Sequence, residues 1–228
     1  MAHIPDGVLS APVLIAGAVV STGLLAVALS QVREEDLPQA AVLAAAFFVS
    51  SLVSVPLGPS SVHLLLNGLM GLVLGWAAVP ALFVGLLLQS VFFGHGGLVA
   101  LGVNTANLGI PALACALVLR PLLARMSVPL ASMSSDAGTV PHGRASPNGS
   151  QRGFLIGMAG GVLAVGLTGA LVVTSLLLSG QAFAPAASVI GATFVPLALI
   201  EGLLTGVVIT FLLRVEPALL SMEQSVDG

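Results

Sequence analysis

The chain has 228 residues, of which 57% are hydrophobic and 7% are charged, and its formal net charge at pH 7 is -3. Soluble domains carry about 25% charged residues, so this composition excludes an ordinary soluble protein and predicts a polytopic membrane protein. There is no lysine, and Cys115 is the single cysteine, which excludes an internal disulfide framework and a strongly basic surface for nucleic acid.

The first seven residues, MAHIPDG, form the segment that we expect to carry the chemistry of the chain. His3 lies close to the terminal amine, so the amine, a backbone amide and the imidazole can wrap a borderline metal ion with nitrogen. The alternative is that His3 is a surface residue of a frayed terminus. Asp6 is expected to cap the first helix or to fix the turn at Pro5–Gly7.

Apolar segments long enough to cross a bilayer follow one another, each about 17–25 residues long. Charged residues, proline and glycine mark the breaks between them. The boundary between the third and fourth segments is the least defined, because parts of them could be fused or one could be re-entrant. We therefore predict an all-α membrane bundle of about seven transmembrane helices. The predicted segments are roughly 8–30, 38–56, 60–77, 79–96, 100–124, 153–179 and 187–213.

The arginines predict the orientation of this bundle. With seven crossings and the N-terminus outside, all six arginines fall on the cytoplasmic side, whereas an even number of helices would split them. Residues 126–152, rich in serine, glycine and proline, then form a flexible cytoplasmic loop. This loop joins a five-helix block at 8–125 to a block at 153–228, which holds two helices and a cytoplasmic C-terminal tail.

Small residues recur every third or fourth position in two of the segments. Such rows let helix backbones approach closely in lipid. They predict packing inside the bundle or, for the row in the first segment, docking of another membrane subunit. The rows are Ala18, Thr22 and Ala26 in the first segment, and Gly68, Gly71 and Gly75 in the third.

Three of the four histidines, His3, His63 and His95, share the outer side and a similar depth in this topology. Asn67 and Asn104 lie near the same level, and polar residues within membrane segments are costly and usually mark function. Both are expected to hydrogen-bond the backbone of the inserted N-terminal segment or to pack as polar groups within the bundle. Asn67 is four residues after His63 in the third segment, so it is expected to share a helix face with His63.

The chemistry of an enzyme is not visible in this pattern. The sequence has no HExxH pair, no GxSxG elbow and no P-loop. Asp6 is the one acidic residue expected near the outer histidines. Glu201 is expected well away from them in the last segment, paired with a partner subunit or with an internal donor. A nitrogen-rich cation site remains, which suits nickel, cobalt, copper or zinc rather than magnesium.

Four stretches, in order, resemble the membrane substrate-binding (S) components of energy-coupling-factor transporters for cobalt and nickel, the CbiM/NikM type. They are MAHIPDGVLS, GPSSVHLLLNGLMGLVLGW, FFGHGGLVALGVNTANLGIPAL and PLALIEGLLTGVVITFLL. The resemblance implies capture of Ni²⁺ or Co²⁺ from outside a prokaryotic (inner) cell membrane, with no catalytic cofactor. It also implies a transmembrane coupling (T) subunit and two cytoplasmic ATPase subunits that power release inwards, and it is compatible with a small accessory membrane subunit.

The resemblance further implies a ligand set of the terminal amine, the amide and imidazole of the second mature residue, and a histidine of the third-segment motif. These map to Ala2, His3 and His63 if Met1 is removed, because an extra alanine separates Met1 from the histidine. If Met1 stays, the terminal chelate alone supplies four nitrogens and His63 becomes redundant. His63 could instead be an interfacial hydrogen-bonding residue. His95 of the GHGG motif is carried over as a polar group beside the site rather than as a ligand.

Two functions of different classes stay open. In the first, the chain is the non-catalytic metal-capturing part of an ATP-driven importer. In the second, it is a self-sufficient transition-metal channel or secondary transporter. Secondary transporters usually show inverted repeats and charged residues at the membrane midplane, and neither is recognisable here. The sequence does not choose between Ni²⁺ and Co²⁺.

Overall fold

The computed structural model describes residues 3–52, 55–57, 60–131 and 147–220. Seven α-helices run through these residues, and two short antiparallel strands lie between the second and third helices. The helices are α1 Ala11–Leu29, α2 Leu37–Ser50, α3 Asn67–Leu74, α4 Ala78–Phe93, α5 Leu101–Ala131, α6 Pro147–Ser179 and α7 Ala184–Val215; the strands are β1 Val55–Leu57 and β2 Ser60–Val62.

The all-α membrane bundle predicted from composition is confirmed. In the described ranges, five helical stretches are long and apolar enough to cross a membrane. α2 has 14 residues, fewer than the roughly 20 that a membrane-spanning helix needs. The count of seven crossings and the orientation therefore stay predictions. The five stretches are Ala11–Leu29, Asn67–Phe93, Leu101–Leu123, Gly149–Ser179 and Gln181–Val215.

The third and fourth predicted segments correspond to α3 and α4, which follow each other within one apolar stretch, Asn67–Phe93. α3 ends at Leu74, and the next residue, Gly75, has φ +59° and ψ -122° and begins a short 3-10 turn before α4. The prediction of a helix from residue 60 is wrong, because residues 60–66 form β2 and a non-helical stretch. α4 ends at Phe93, so His95 lies in the loop that follows it.

α5 lies at the centre of the bundle, where it packs against α1, α3, α4 and α6. α3 is the most enclosed element, since all eight of its residues are buried. Apolar side chains of α1 and α7 remain exposed on the outside, as expected for surfaces that face lipid. His63, which lies four residues before α3, is therefore next to a well-packed part of the bundle.

α6 and α7 pack at backbone distance through two GxxxG pairs, a signal that the sequence analysis missed. A Cβ on Gly161 would lie 2.7 Å from the backbone oxygen of Glu201, and one on Gly157 would lie 2.9 Å from the Cα of Gly206. Gly202 completes the second pair. Interfaces of this kind depend on close van der Waals packing, which a larger residue prevents.

The row predicted in the third segment packs inside the bundle. A Cβ on Gly68 would lie 2.8 Å from the backbone oxygen of Gly160, so α3 contacts α6 directly. In α1, the Cα of Ala18 lies 2.8 Å from where a Cβ on Gly102 would be, while Thr22 and Ala26 are exposed. Part of the α1 row thus packs on α5, and docking of another subunit on the remainder stays a prediction.

Candidate metal site

From His3 onwards, the N-terminal segment is folded into the bundle. His3 exposes 4% of its surface and Ile4 exposes 3%. The side-chain amide of Asn104, on α5, accepts a hydrogen bond from the Ile4 N–H and donates one to the Ile4 carbonyl, both at 3.0 Å. These two bonds fix the backbone next to His3, which is one of the two roles expected of Asn104. Met1 and the predicted ligand Ala2 lie outside the described residues.

Asp6 ties the same segment to the start of α5 rather than capping α1. Its carboxylate accepts a hydrogen bond from the backbone N–H of Ala100 at 2.8 Å. Because the segment folds back over the bundle, the carboxylate meets the unpaired N–H groups at the N-terminus of α5, where a negative charge is favourable. Asp6 therefore caps α5, about 90 residues further along the chain, and not the first helix.

Two of the three glycines of the GHGG motif leave room for this segment. Gly96 and Gly97 have φ angles of +80° and +75°, which glycine adopts more readily than other residues. A Cβ on Gly96 would lie 3.1 Å from the Cβ of His3, and one on Gly97 would lie 2.2 Å from the carboxyl carbon of Asp6. These two positions of the motif thus require glycine for steric reasons, independently of the histidine between the glycines.

His3 and His63 lie side by side in the interior. Their ring centroids are 5.0 Å apart with an interplanar angle of 42°, and His63 exposes 5% of its surface. His63 Nδ1 lies 3.0 Å from the Leu64 carbonyl, which can only accept, so Nδ1 carries the proton and Nε2 keeps its lone pair for a metal. Both ring nitrogens of His3 are buried without a hydrogen-bond partner among the described residues.

Both imidazoles are held in the neutral form that binds metal ions. Burial lowers the pKa of His3 well below its ordinary value of 6.5, and the nearby His63 and His95 lower it further. Burial also lowers the pKa of His63, although its bond to the Leu64 carbonyl opposes this change. A metal ion at this pair therefore displaces few protons from the rings at neutral pH.

Gln89 is a site residue that the sequence analysis missed. It is fully buried on α4, and its amide nitrogen donates to the Phe47 carbonyl at 3.4 Å. The amide lies beside the His3 imidazole outside hydrogen-bond geometry, and its oxygen has no partner within the described part of the chain. Phe47 closes the same side, with its ring centroid 6.4 Å from that of His3. A lone glutamine in an apolar helix was the available signal.

The other two residues predicted near the site, His95 and Asn67, differ in whether they lie beside it. His95 lies close enough to lower the pKa of His3, and its ring is 5.8 Å from that of Phe93. Asn67 does not share a helix face with His63, because α3 begins at Asn67 itself. Its amide donates to the Leu108 carbonyl at 3.3 Å and to Thr168 Oγ1 at 2.9 Å, so its hydrogen bonds are polar packing within the bundle.

Glu201, which was expected well away from the histidines, binds the backbone two and three residues after His63. It exposes 1% of its surface, and its carboxylate accepts hydrogen bonds from the backbone N–H groups of Leu65 and Leu66. It therefore satisfies internal donors, one of the two alternatives open from the sequence. The sequence places Glu201 only along its own segment and does not show that residues 63–66 are non-helical, which leaves the N–H groups of Leu65 and Leu66 free to bind its carboxylate.

Within the described ranges, no group of three or more His, Cys, Asp or Glu side chains could hold a metal ion. The imidazole pair thus needs further donors of another kind, such as backbone or terminal nitrogen. The sequence profile of the CbiM family, described as the cobalt uptake substrate-specific transmembrane region, matches residues 3–219. The chain belongs to the CbiM family. This match confirms the resemblance seen in the sequence.

Individual relatives of this CbiM-family chain cover it to different extents. A metal transport protein of Haemophilus influenzae is 34% identical over 224 residues, which are 98% of each chain. The fused nickel transport protein NikMN of Rhodobacter capsulatus is 38% identical over 115 residues, which are 47% of this chain and 33% of that protein. The crystal structure of a transition metal transporter matches the fold with a TM-score of 0.68, covering 93% of both chains at 23% identity.

Proposed function

We propose that this chain captures Ni²⁺ or Co²⁺ from outside the cell as the substrate-specific, non-catalytic membrane component of an ATP-driven energy-coupling-factor importer. The observation that carries the proposal is the buried pair of His3 and His63, 5.0 Å apart between ring centroids. Two neutral imidazoles in an enclosed position suit a borderline divalent ion. The family description names cobalt, and one relative is named as a nickel transport protein.

In this proposal the mature chain begins at Ala2. The amine of Ala2, the deprotonated amide and the imidazole of His3, and Nε2 of His63 supply four nitrogens. Such a set favours Ni²⁺ in a square plane. The bonds between Asn104 and Ile4 support this set, because they fix the backbone next to His3, whose ring lies beside that of His63.

The proposal places the N-terminus outside and the C-terminal tail and residues 126–152 in the cytoplasm of a prokaryotic cell, as the arginine distribution favours. Release inwards is powered by two ATPase subunits through a transmembrane coupling (T) subunit. The proposal is also compatible with a small accessory membrane subunit. The alternative function, a self-sufficient channel or secondary transporter, is less well supported, because the family description specifies a substrate-specific region.

Calorimetric titration of Ni²⁺ and Co²⁺ into the purified protein tests the site. We expect His63→Ala to weaken binding strongly, whereas the matched variant His142→Ala, in the 126–152 loop, keeps the parent affinity. Unchanged affinity for both metals in His63→Ala would remove His63 from the site. Intact-mass analysis of the same preparation tests whether Ala2 is the first residue, and Met1 retained together with full binding in His63→Ala would overturn the four-nitrogen scheme.

The importer proposal has a separate test. We expect ATPase subunits to co-purify with the chain from its native membrane, and metal uptake to stop when ATP is depleted. Uptake by vesicles that contain the chain alone, driven only by the metal gradient, would instead support the channel or secondary transporter. Competition between Ni²⁺ and Co²⁺ for the purified protein identifies the preferred metal.

A further inference from the structure

We propose that Glu201 is a positioning residue of the metal site: its carboxylate clamps the backbone of Leu65 and Leu66 and so fixes His63 beside His3. The inference rests on the proposed role of His63 as a ligand and extends it to α7, which contains no predicted ligand. It assigns a function to the most deeply buried charged residue near the site, for which the sequence left two roles open.

The first support is the arrangement of hydrogen bonds. The Leu66 N–H lies 3.1 Å from Oε1 and 3.2 Å from Oε2 of Glu201, and the Leu65 N–H donates to Oε1. Residues 63–66 belong to no helix or strand, so these buried N–H groups have no ladder or helical partner of their own. A carboxylate that accepts from two successive backbone amides holds the chain more firmly than a neutral acceptor does.

The second support is the backbone conformation at the same place. Leu66 has φ +50° and ψ 4°, and it is the one non-glycine residue with positive φ in the described part of the chain. A bulky residue stays in this left-handed region only where its surroundings hold it there. This conformation turns the chain from the stretch that carries His63 into α3, and Glu201 binds the N–H of the residue that makes the turn.

The third support is the rigidity of the helix that supplies the carboxylate. Gly161 of α6 approaches the backbone oxygen of Glu201 so closely that a Cβ would lie 2.7 Å from it. A Cβ on the next residue, Gly202, would lie 3.1 Å from the carbonyl oxygen of Met158. The α6–α7 contact thus fixes the backbone from which Glu201 reaches across to residues 65–66, more than 130 positions earlier in the sequence.

The test is a double-mutant cycle between Glu201 and His63, read by calorimetric titration of Ni²⁺ into the purified protein. Glu201→Gln keeps the shape of the side chain but removes the charge and one acceptor. We expect it to lower Ni²⁺ affinity by about 10- to 100-fold, as for other residues that orient a metal ligand. In the His63→Ala background the same change is expected to have no further effect, because the ligand that it positions is already absent.

Two further readouts separate positioning from a structural role. The visible absorption band of the Ni²⁺ complex in Glu201→Gln is expected to shift towards that of His63→Ala, since His63 leaves the coordination plane. Thr168→Val is the matched control: it removes a buried hydrogen bond to the first residue of α3 but none to residues 65–66. We expect it to change Ni²⁺ affinity by less than about twofold, consistent with independence of sites that share no partner.

The outcomes distinguish this inference from the proposed function. If His63→Ala leaves Ni²⁺ affinity unchanged, the proposed function fails. If His63→Ala weakens binding but Glu201→Gln does not, or if Glu201→Gln weakens it equally in both backgrounds, the positioning role is overturned. If Glu201→Gln does not yield folded protein, Glu201→Asp carries the same cycle, because it keeps the charge but shortens the reach to Leu66.

Discussion

Asn104→Ala should detach the N-terminal segment and with it the metal site. Asn104 makes both hydrogen bonds to the backbone of Ile4, which exposes only 3% of its surface. Alanine would leave a buried N–H and a buried carbonyl without partners. Each such group costs about 1–3 kcal/mol, so the docked segment loses about 2–6 kcal/mol relative to a hydrated, undocked one.

This loss converts into affinity because only the docked segment places His3 beside His63. At about 1.4 kcal/mol per factor of ten, the lower end of this range corresponds to a drop of up to about 30-fold in Ni²⁺ affinity. The full drop is reached when the metal-free parent segment is only marginally docked, because the apparent affinity falls with the fraction of molecules that are docked. Calorimetric titration measures the drop, and limited digestion with an aminopeptidase measures exposure of the segment.

Asn107→Ala is the matched control for this prediction. Asn107 lies one turn further along α5 and exposes 4% of its surface, but its amide nitrogen has no hydrogen-bond partner in the described ranges. The same substitution there should leave Ni²⁺ affinity near that of the parent. If Asn104→Ala binds Ni²⁺ as tightly as Asn107→Ala, the two bonds to Ile4 do not hold the site together.

Three further outcomes follow from the geometry. Gly97→Ala should weaken Ni²⁺ binding, because its Cβ would push the carboxyl group of Asp6 away. Gly94→Ala is the control, since Gly94 has a similar positive φ but open space at its Cβ, and it should not weaken binding. Equal affinities of the two variants would show that contact with Asp6 does not matter for binding. Gly161→Val should lower the unfolding temperature through overpacking worth about 1–3 kcal/mol, while Gly166→Val, on the same helix with open space, should be near neutral. Because burial lowers the pKa of both site imidazoles, the unfolded chain binds more protons just below pH 6.5. The unfolding temperature of the metal-free protein should therefore fall as the pH drops through this range, and a flat profile would contradict the burial of the pair.

The sequence predicted the parts of this protein that depend on composition and short motifs. An apolar chain with few charges can only be a membrane bundle, and the N-terminal and third-segment motifs brought His3 and His63 together. The prediction of a helix from residue 60 was wrong for a physical reason. Apolar composition does not distinguish a helix from a non-helical stretch when a distant side chain satisfies the backbone N–H groups, as Glu201 does for Leu65 and Leu66.

Long-range contacts account for the other residues that sequence reasoning missed or misplaced. Asp6 was expected to cap the helix that follows it or to fix the turn at Pro5–Gly7, but the segment folds back and the carboxylate reaches Ala100. Gln89 was overlooked because a single polar residue in an apolar helix carries no spacing pattern. The GxxxG pairs of α6 and α7 were present in the sequence, yet only the structure shows that Gly161 faces the backbone of Glu201.

The two proposed histidine ligands are attached to different parts of the bundle, and this division bears on how a metal ion could be held and released. His3 is held through Ile4 by α5, whereas the backbone after His63 is held through Leu65 and Leu66 by α7. A metal ion bound by both imidazoles therefore links α5 to α7 and stabilises the relative position that brings the rings together. The linkage is reciprocal: any partner that favours a different relative position of these helices must weaken metal binding by the same factor.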